Sequence, residues 1–271
     1  RAVNWLVARQ DPDGCIGRGY EGGLGYHHAI GGLALAEAFG MSRLERTGLA
    51  AQKAVDYSIQ KHQCEYSGWR YDPRQEPDMS VSGWFVMQLK SAQVAGLRVD
   101  ARGFLGASRF LESCTKTDGN YPGLVSYQPD RSATPTMTAV GALSRLFMGW
   151  KRSDPLLIGA AHYLVGAPPR WEASGDGVDF YYWYYATLVM FMMGGEHWRS
   201  WSPAMREMLV EHQRKGPPEV DGSWDPLGPW CDRGGRVFST AIGALCLEVY
   251  YRYLPGGWDM RPAVQGSPGA P

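Results

Sequence analysis

One phrase recurs five times along this chain and constrains its fold more than any other feature. Each occurrence is a helix-like stretch, a Gly-rich turn, and a second helical stretch rich in small and aromatic residues. Successive turn glycines stand 54, 51, 56 and 47 residues apart. A period near fifty residues indicates stacked helix pairs, because one such unit cannot bury its apolar face alone. The turn glycines are Gly14, Gly68, Gly119, Gly175 and Gly222.

The helical stretches alternate between two types. The outer type is amphipathic: in the second of them, Leu49 and Val55 alternate with Lys53 and Lys61 at roughly helical period. The inner type is apolar nearly all round, which predicts burial. Outer helices are predicted at Arg1–Gln10, Leu44–Gln63, Arg102–Cys114, Asp154–Val165 and Pro203–Arg214, and inner helices at Tyr26–Phe39, Ser80–Ala95, Thr136–Trp150, Phe180–Met193 and Val237–Tyr253.

This alternation predicts an all-α fold in which buried helices line a ring and amphipathic helices face water. Repeat folds grow without splitting, since each unit packs only on its neighbours. We therefore expect residues 1–255 to form one domain of five repeats of about 52 residues each. Pro and Gly are frequent in residues 256–271, which are predicted to be a disordered tail.

Composition argues against several classes of partner. The chain carries 27 basic and 27 acidic residues, with no Lys/Arg cluster of the kind that nucleic acids or anionic membranes require. It has no run of eighteen apolar residues, so no transmembrane segment is predicted. The chain begins at Arg1 inside a helical pattern, and we expect a longer natural protein. Nothing in the sequence indicates a compartment.

Two of the turns carry a resemblance to a known family. Gln63 is followed by Gly68-Trp69, and Gln213 is followed by Gly222-Ser223-Trp224. These segments resemble the Gln-Trp repeats of squalene and oxidosqualene cyclases. From Arg1 to Pro255 the chain resembles the prenyltransferase and squalene cyclase repeat superfamily. The resemblance implies an α/α toroid of about six helix pairs around an apolar cavity that suits an isoprenoid. Five pairs are countable here, so either an upstream segment supplies the sixth or the ring is incomplete.

Cyclase chemistry needs an acid that protonates carbon, aromatic faces that stabilise cations, and exclusion of water. Squalene-hopene cyclases place an Asp-x-Asp-Asp motif at the start of an inner helix. The similar start here, Glu76-Pro77-Asp78, has no Asp cluster to tune a proton donor. Asp78 is therefore a candidate either for catalysis or for capping the helix through its carboxylate.

A second enzymatic interpretation is zinc-dependent protein prenylation, whose β subunits bind zinc through an Asp-x-Cys and a His. The segment Asp179-Phe180-Tyr181-Tyr182 resembles the Asp-Phe-Tyr-His of that family, but Tyr182 stands where the zinc-binding His should be. The preceding inner helix, which begins near Thr134, lacks Asp-x-Cys. The zinc site is not carried over, and we expect no metal and no cofactor. Those enzymes also require an α-helical partner subunit.

Two hypotheses of function follow. The first is an isoprenoid-active enzyme or prenyl-handling protein; the second is a non-catalytic module that binds a lipid or a protein partner. Whether the chain is an enzyme stays open. Rings and basic groups near the inner-helix starts are the candidate substrate contacts, although the rings also suit packing between helices and the arginine suits a solvated loop. The candidates are Asp78 and Asp179 for catalysis, and His27, Trp84, Tyr181, Tyr182, Tyr185, Arg236 and Phe238 for substrate binding.

Overall fold

The computed structural model describes residues 1–21, 23–172, 175 and 177–249. Over this part of the chain the protein is all-α, with ten α-helices, one π-helical turn and two isolated β-bridges. The predicted tail, 256–271, and the end of the last predicted helix, at Tyr253, lie outside the described residues. In chain order the helices are α1 (Ala2–Arg9), α2 (Leu24–Ser42), α3 (Glu45–Tyr57) with the π turn (Ser58–His62), α4 (Met79–Val94), α5 (Ala101–Ser113), α6 (Pro135–Phe147), α7 (Pro155–Val165), α8 (Phe180–Met193), α9 (Gly195–Glu211) and α10 (Cys231–Leu247).

Each predicted helix has a counterpart in the structure, and two begin more than a turn earlier than predicted. Pro203 was expected in a first turn, but it lies inside α9, which begins at Gly195. The extra turns contain Trp201, whose buried indole Nε1 donates to Thr187 Oγ1 at 3.0 Å and anchors them against α8. The last helix, α10, includes a break at Gly235, whose φ is 58°.

The described chain divides into two compact units, the first over Arg1–Glu112 and the second beginning at Ser113. In the first unit α2 packs against α1, α3 and α4. In the second unit α8 packs against α6, α9 and α10, and α6 packs against α7. Within each unit, inner-type helices therefore pack on one another and on an outer-type helix. The single-domain interpretation stays a prediction.

The inner-type helices α4 and α8 are buried over most of their length, as their apolar sequences predict. In α4 every residue from Met79 to Leu89 is buried, and in α8 every residue from Phe180 to Met190 is buried. A helix without a polar face has no side to turn toward water. None of the described helices is long and apolar enough to span a membrane.

The glutamines of the repeated phrase have a shared structural role. Gln63 Nε2 donates to the Ser67 carbonyl at 2.8 Å and to the Gly103 carbonyl at 3.0 Å. In the second unit Gln213 Nε2 donates to the Gly222 carbonyl at 2.8 Å. Each glutamine therefore ties the end of an outer-type helix to the turn that follows it, and satisfies a turn carbonyl; Gln63 also bonds to α5 through the Gly103 carbonyl.

The tryptophans of the phrase complete the same arrangement. Trp69 Nε1 donates to the Ser58 carbonyl at 2.7 Å, and Trp224 Nε1 donates to the Leu209 carbonyl at 2.8 Å. The Trp69 backbone N–H also donates to Ser82 Oγ on α4, at 2.9 Å. Both rings are buried. In both units the phrase thus fastens a turn to the end of the preceding outer-type helix.

Candidate functional site

Asp78 is a fully buried cap at the start of α4. Its Oδ1 accepts hydrogen bonds from the Val81 N–H at 2.9 Å and from Ser80 Oγ at 2.7 Å. Ser80 Oγ in turn lies 2.7 Å from the Tyr26 hydroxyl on α2. The capping role predicted for Asp78 is confirmed, and this carboxyl belongs to a hydrogen-bonded chain that links two inner helices.

Asp179 caps α8 in the same way but has different surroundings. Its Oδ1 accepts from the Tyr182 N–H at 2.9 Å, and its Oδ2 accepts from Thr136 Oγ1 at 3.4 Å. Burial raises the pKa of Asp179 above its ordinary value, and the hydrogen bonds oppose that shift without cancelling it. This carboxyl therefore holds its proton to a higher pH than an ordinary aspartate does, which is a shift in the direction that favours a general acid.

The first turns of α6, α8 and α10 meet around Asp179. Thr136 lies in the first turn of α6, Asp179 caps α8, and Cys231 is the first residue of α10. The Cys231 thiol is buried, and its pKa is raised to about 11, mainly by burial and then by the charges of Asp179 and Asp232. Three inner-helix starts that lie far apart in the sequence thus share one polar neighbourhood.

The aromatic candidates on α8 separate into two groups. The rings of Tyr181 and Tyr185 are buried with centroids 5.0 Å apart. Tyr182 points to the outer layer: its hydroxyl donates to the Ala167 carbonyl at 2.7 Å, and its ring meets Trp201 edge-on at 6.0 Å. Tyr182 is therefore occupied by structural contacts, while Tyr181 and Tyr185 form an aromatic pair one turn into the helix.

The remaining candidates are divided between the two units. Arg236 lies in α10 rather than in a loop; it forms an ion pair with Asp225 at 2.7 Å and donates to Ser223 Oγ at 3.0 Å, so the segment before α10 compensates its charge. Phe238 is half-buried in the second unit. His27, Asp78 and Trp84 belong to the first unit: Trp84 is buried on α4, and the half-buried His27 lies edge-on to the Tyr20 ring at 6.2 Å.

A buried polar cluster around His28 was missed at the level of sequence. His28 Nδ1 accepts from the Ile16 N–H at 3.1 Å, so its proton is on Nε2, which lies 2.9 Å from Ser58 Oγ. Ser58 Oγ donates to Gln88 Oε1 at 2.7 Å. Burial, with a smaller contribution from the charge of His62, lowers the pKa of His28 to about 3.

The position of His28 on its helix was a usable signal. Gly25, His28, Gly32 and Leu35 recur at helical spacing on α2, and all four are buried. The imidazole therefore stands in the stripe that packs against the core, where a histidine must be neutral and hydrogen-bonded. Its cluster includes the π turn, a feature that is frequent at functional sites, but its buried atoms offer no access to a substrate.

No model of a protein family matches the chain, and no curated protein is significantly similar to it. The resemblance to cyclase repeats rests on the Gln, Gly and Trp residues of the repeated phrase. In the described part of the chain, no group of three or more His, Cys, Asp or Glu side chains is placed to hold a metal ion.

Proposed function

We propose that the protein is an α/α toroid of the squalene cyclase and prenyltransferase repeat kind that acts on an isoprenoid, with Asp179 as its proton donor. The observation that carries the proposal is the raised pKa of Asp179 at the place where three inner-helix starts meet. Perturbed carboxyls of this kind are concentrated at functional sites. The packing of inner-type helices on one another within each unit supports the toroid.

The chemistry assigned to Asp179 is carbon protonation. Its O–H proton passes to one carbon of an alkene, the π electrons form the new C–H bond, and the other carbon becomes a cation. Aromatic faces stabilise such cations, and the Tyr181–Tyr185 pair is the nearest set along α8. Loss of a proton from a neighbouring carbon back to the Asp179 carboxylate completes a redox-neutral isomerisation or cyclisation.

A second candidate, a non-catalytic module that binds a lipid or a protein partner, is favoured by a specific observation. Both candidate acids already have structural roles, because each caps an inner helix. Arg236, which was a candidate for diphosphate binding, is paired with Asp225. Under this alternative the carboxyls organise the fold and carry out no reaction.

One assay separates these proposals. The purified protein is incubated with squalene, farnesyl diphosphate or geranylgeranyl diphosphate, and the products are identified by gas chromatography–mass spectrometry. Asp179→Asn and Asp78→Asn are compared in parallel, because asparagine caps a helix about as well as aspartate but donates no acidic proton. We expect a cyclised or isomerised product that Asp179→Asn abolishes and Asp78→Asn retains. Loss only in Asp78→Asn would move the acid to Asp78, and no turnover by the wild-type protein would favour the non-catalytic module.

A further inference from the structure

A surface cleft of about 680 Å³ lies in the first unit, between the π turn, the loop after it and α5. This volume falls within the range of roughly 300–1,000 Å³ that is typical of small-molecule sites. The cleft is formed by the repeated phrase itself, and none of the candidate catalytic or substrate-binding residues lines it. Its walls include Gln63, Tyr66, Arg74, Arg102, Leu105 and Arg109.

The lining of the cleft is positively charged. It contains Arg74, Arg102 and Arg109 but only one carboxylate, that of Glu65. Arg102 pairs with Asp100 at 2.7 Å. The ion pairs found within the described residues include neither Arg74 nor Arg109. Guanidinium groups collected in a concave surface favour an anion there.

The backbone of the cleft is strained at Tyr66 and Arg74, which have positive φ angles. In the described chain only four residues other than glycine have a positive φ, and two of them, Tyr66 at 55° and Arg74 at 64°, line this cleft. Such conformations cost free energy and tend to occur at ligand clamps. They place the Tyr66 ring beside the Arg109 guanidinium, whose carbon lies 5.7 Å from the ring centroid.

The rear wall of the cleft is preorganised. A side-chain carbon at Gly106 would lie 2.4 Å from the Ser67 carbonyl oxygen and 2.5 Å from Gln63 Nε2, so only glycine lets the loop approach α5 this closely. Arg74 is held as well: its Nη1 donates to the Gln63 carbonyl at 2.7 Å, and its Nη2 donates to the Gln60 carbonyl. The Arg74 guanidinium is thus set in place before any ligand arrives, which reduces the ordering cost of binding.

We infer that this cleft binds a small organic anion, whose phosphate or carboxylate group contacts Arg109 and Arg102 beside Arg74. Its apolar part lies against Tyr66 and Leu105, which are 66% and 59% exposed. Guanidinium groups pair with both phosphate and carboxylate, so the ligand class is defined by a negative charge together with an apolar portion. The inference is independent of the proposed isoprenoid chemistry.

Isothermal titration calorimetry of the whole chain tests the inference with phenyl phosphate, benzoate, inorganic phosphate and benzyl alcohol. We expect at least one aromatic anion to bind more tightly than inorganic phosphate, benzyl alcohol not to bind, and affinity to fall as salt is added. Arg109→Gln should weaken binding about tenfold or more, because it removes a charge-assisted contact. Arg206→Gln, which removes an exposed arginine outside the cleft, should leave the affinity unchanged.

Several outcomes would overturn the inference. They are no binding of any of the anions at millimolar concentration, equal binding of benzyl alcohol, or equal losses in Arg109→Gln and Arg206→Gln. If inorganic phosphate binds as tightly as the aromatic anions, the apolar part of the inference is wrong. Circular dichroism of Arg109→Gln confirms folding, and Tyr66→Ala provides a second variant that should weaken only the aromatic anions.

Discussion

The start of α4 in the first unit and the start of α8 in the second are built by the same device in different surroundings. Asp78 and Asp179 each accept a backbone N–H three residues ahead, at 2.9 Å. Asp78 is fully buried and also accepts from Ser80, whereas Asp179 is partly exposed, lies near Cys231, and has a raised pKa. Because capping is common to both, capping alone does not distinguish the two carboxyls; their surroundings do, and the acid role proposed for Asp179 rests on that difference.

The bodies of the two helices differ as well. α4 is fixed by buried hydrogen bonds, from the Trp69 N–H to Ser82 Oγ and from Ser58 Oγ to Gln88 Oε1. Seven of the fourteen residues of α8 are aromatic, and their rings pack on one another and on α9. The buried hydrogen bonds at α4 include His28 through Ser58, which makes the first unit sensitive to pH, whereas α8 combines aromatic packing with hydrogen bonds such as that from Trp201 Nε1 to Thr187 Oγ1.

Among the variants that test this comparison, Trp69→Ala is expected to lower the free energy of unfolding most. The ring is fully buried, stacks on Phe85 with centroids 4.9 Å apart, and bonds to the Ser58 carbonyl. Its truncation should lower the free energy of unfolding by about 3–5 kcal/mol, measured by urea denaturation. Trp69→Phe keeps an aromatic ring and loses the hydrogen bond, so it should cost less. Equal losses in the two variants would show that ring packing contributes little.

The stability of the first unit should fall with decreasing pH before the pH is low enough to protonate ordinary carboxylates. The pKa values of His28 and His62 are lowered by burial, so the unfolded chain binds protons near pH 6.5 that the folded chain refuses. Stability should therefore fall as the pH drops from 7 to 5, with a slope that approaches about 1.4 kcal/mol per pH unit from His28 and a contribution of the same sign from His62. Urea denaturation at several pH values checks this, and His28→Gln should reduce the slope. A flat profile would contradict the buried cluster.

Substitution of the turn glycines of the repeated phrase should destabilise the two units for different reasons. Gly222 has a φ of 74° and open space around it, so Gly222→Val should cost about 1–2 kcal/mol through backbone strain alone. Gly68 is not left-handed, but a side-chain carbon there would lie 2.4 Å from Ser82 Oγ. Gly68→Ala should therefore disturb the hydrogen bond that the Trp69 N–H donates to Ser82 Oγ. Unchanged thermal unfolding of Gly222→Val would refute the conformational argument.

The smallest effects are expected at the caps. Asp78→Ala and Asp179→Ala should each cost about 1 kcal/mol, and the asparagine variants should recover most of that loss. The raised pKa of Asp179 means that its contribution to stability is present at low pH and is lost as the pH rises through that pKa. Asp179→Asn should therefore gain stability relative to the wild-type protein as the pH rises above the ordinary aspartate pKa of about 3.9. Thermal unfolding measures both effects, and a relative loss as the pH rises would contradict the shift.

The helices were largely predictable, because their signals are local. α8 has the bounds that its apolar run indicated, and Asp78 was readable as a cap from its place before the helix. The early start of α9 was not predicted, because Pro203 indicated a first helical turn. The helix instead begins at Gly195, and the buried hydrogen bond of Trp201 to Thr187 stabilises the turns before Pro203.

The neighbourhood of the candidate site was much less predictable. Thr136 and Cys231 lie far from Asp179 in the sequence, and no local pattern states that their helix starts meet. The pKa of Asp179 depends on that meeting, because burial causes the shift. The cluster of His28 was missed for a similar reason: its partners come from three separate segments, although its place in a buried stripe was visible.

The most direct test of the proposed acid is a ¹³C NMR titration of the aspartate side-chain carboxyls, with the Asp179 signal assigned from its absence in Asp179→Asn. We predict that the Asp179 carboxyl titrates at a pH above the value of about 3.9 that is typical of an unperturbed aspartate. A midpoint at or below that value would contradict the claim that Asp179 is a poised proton donor, and would leave it as a helix cap like Asp78.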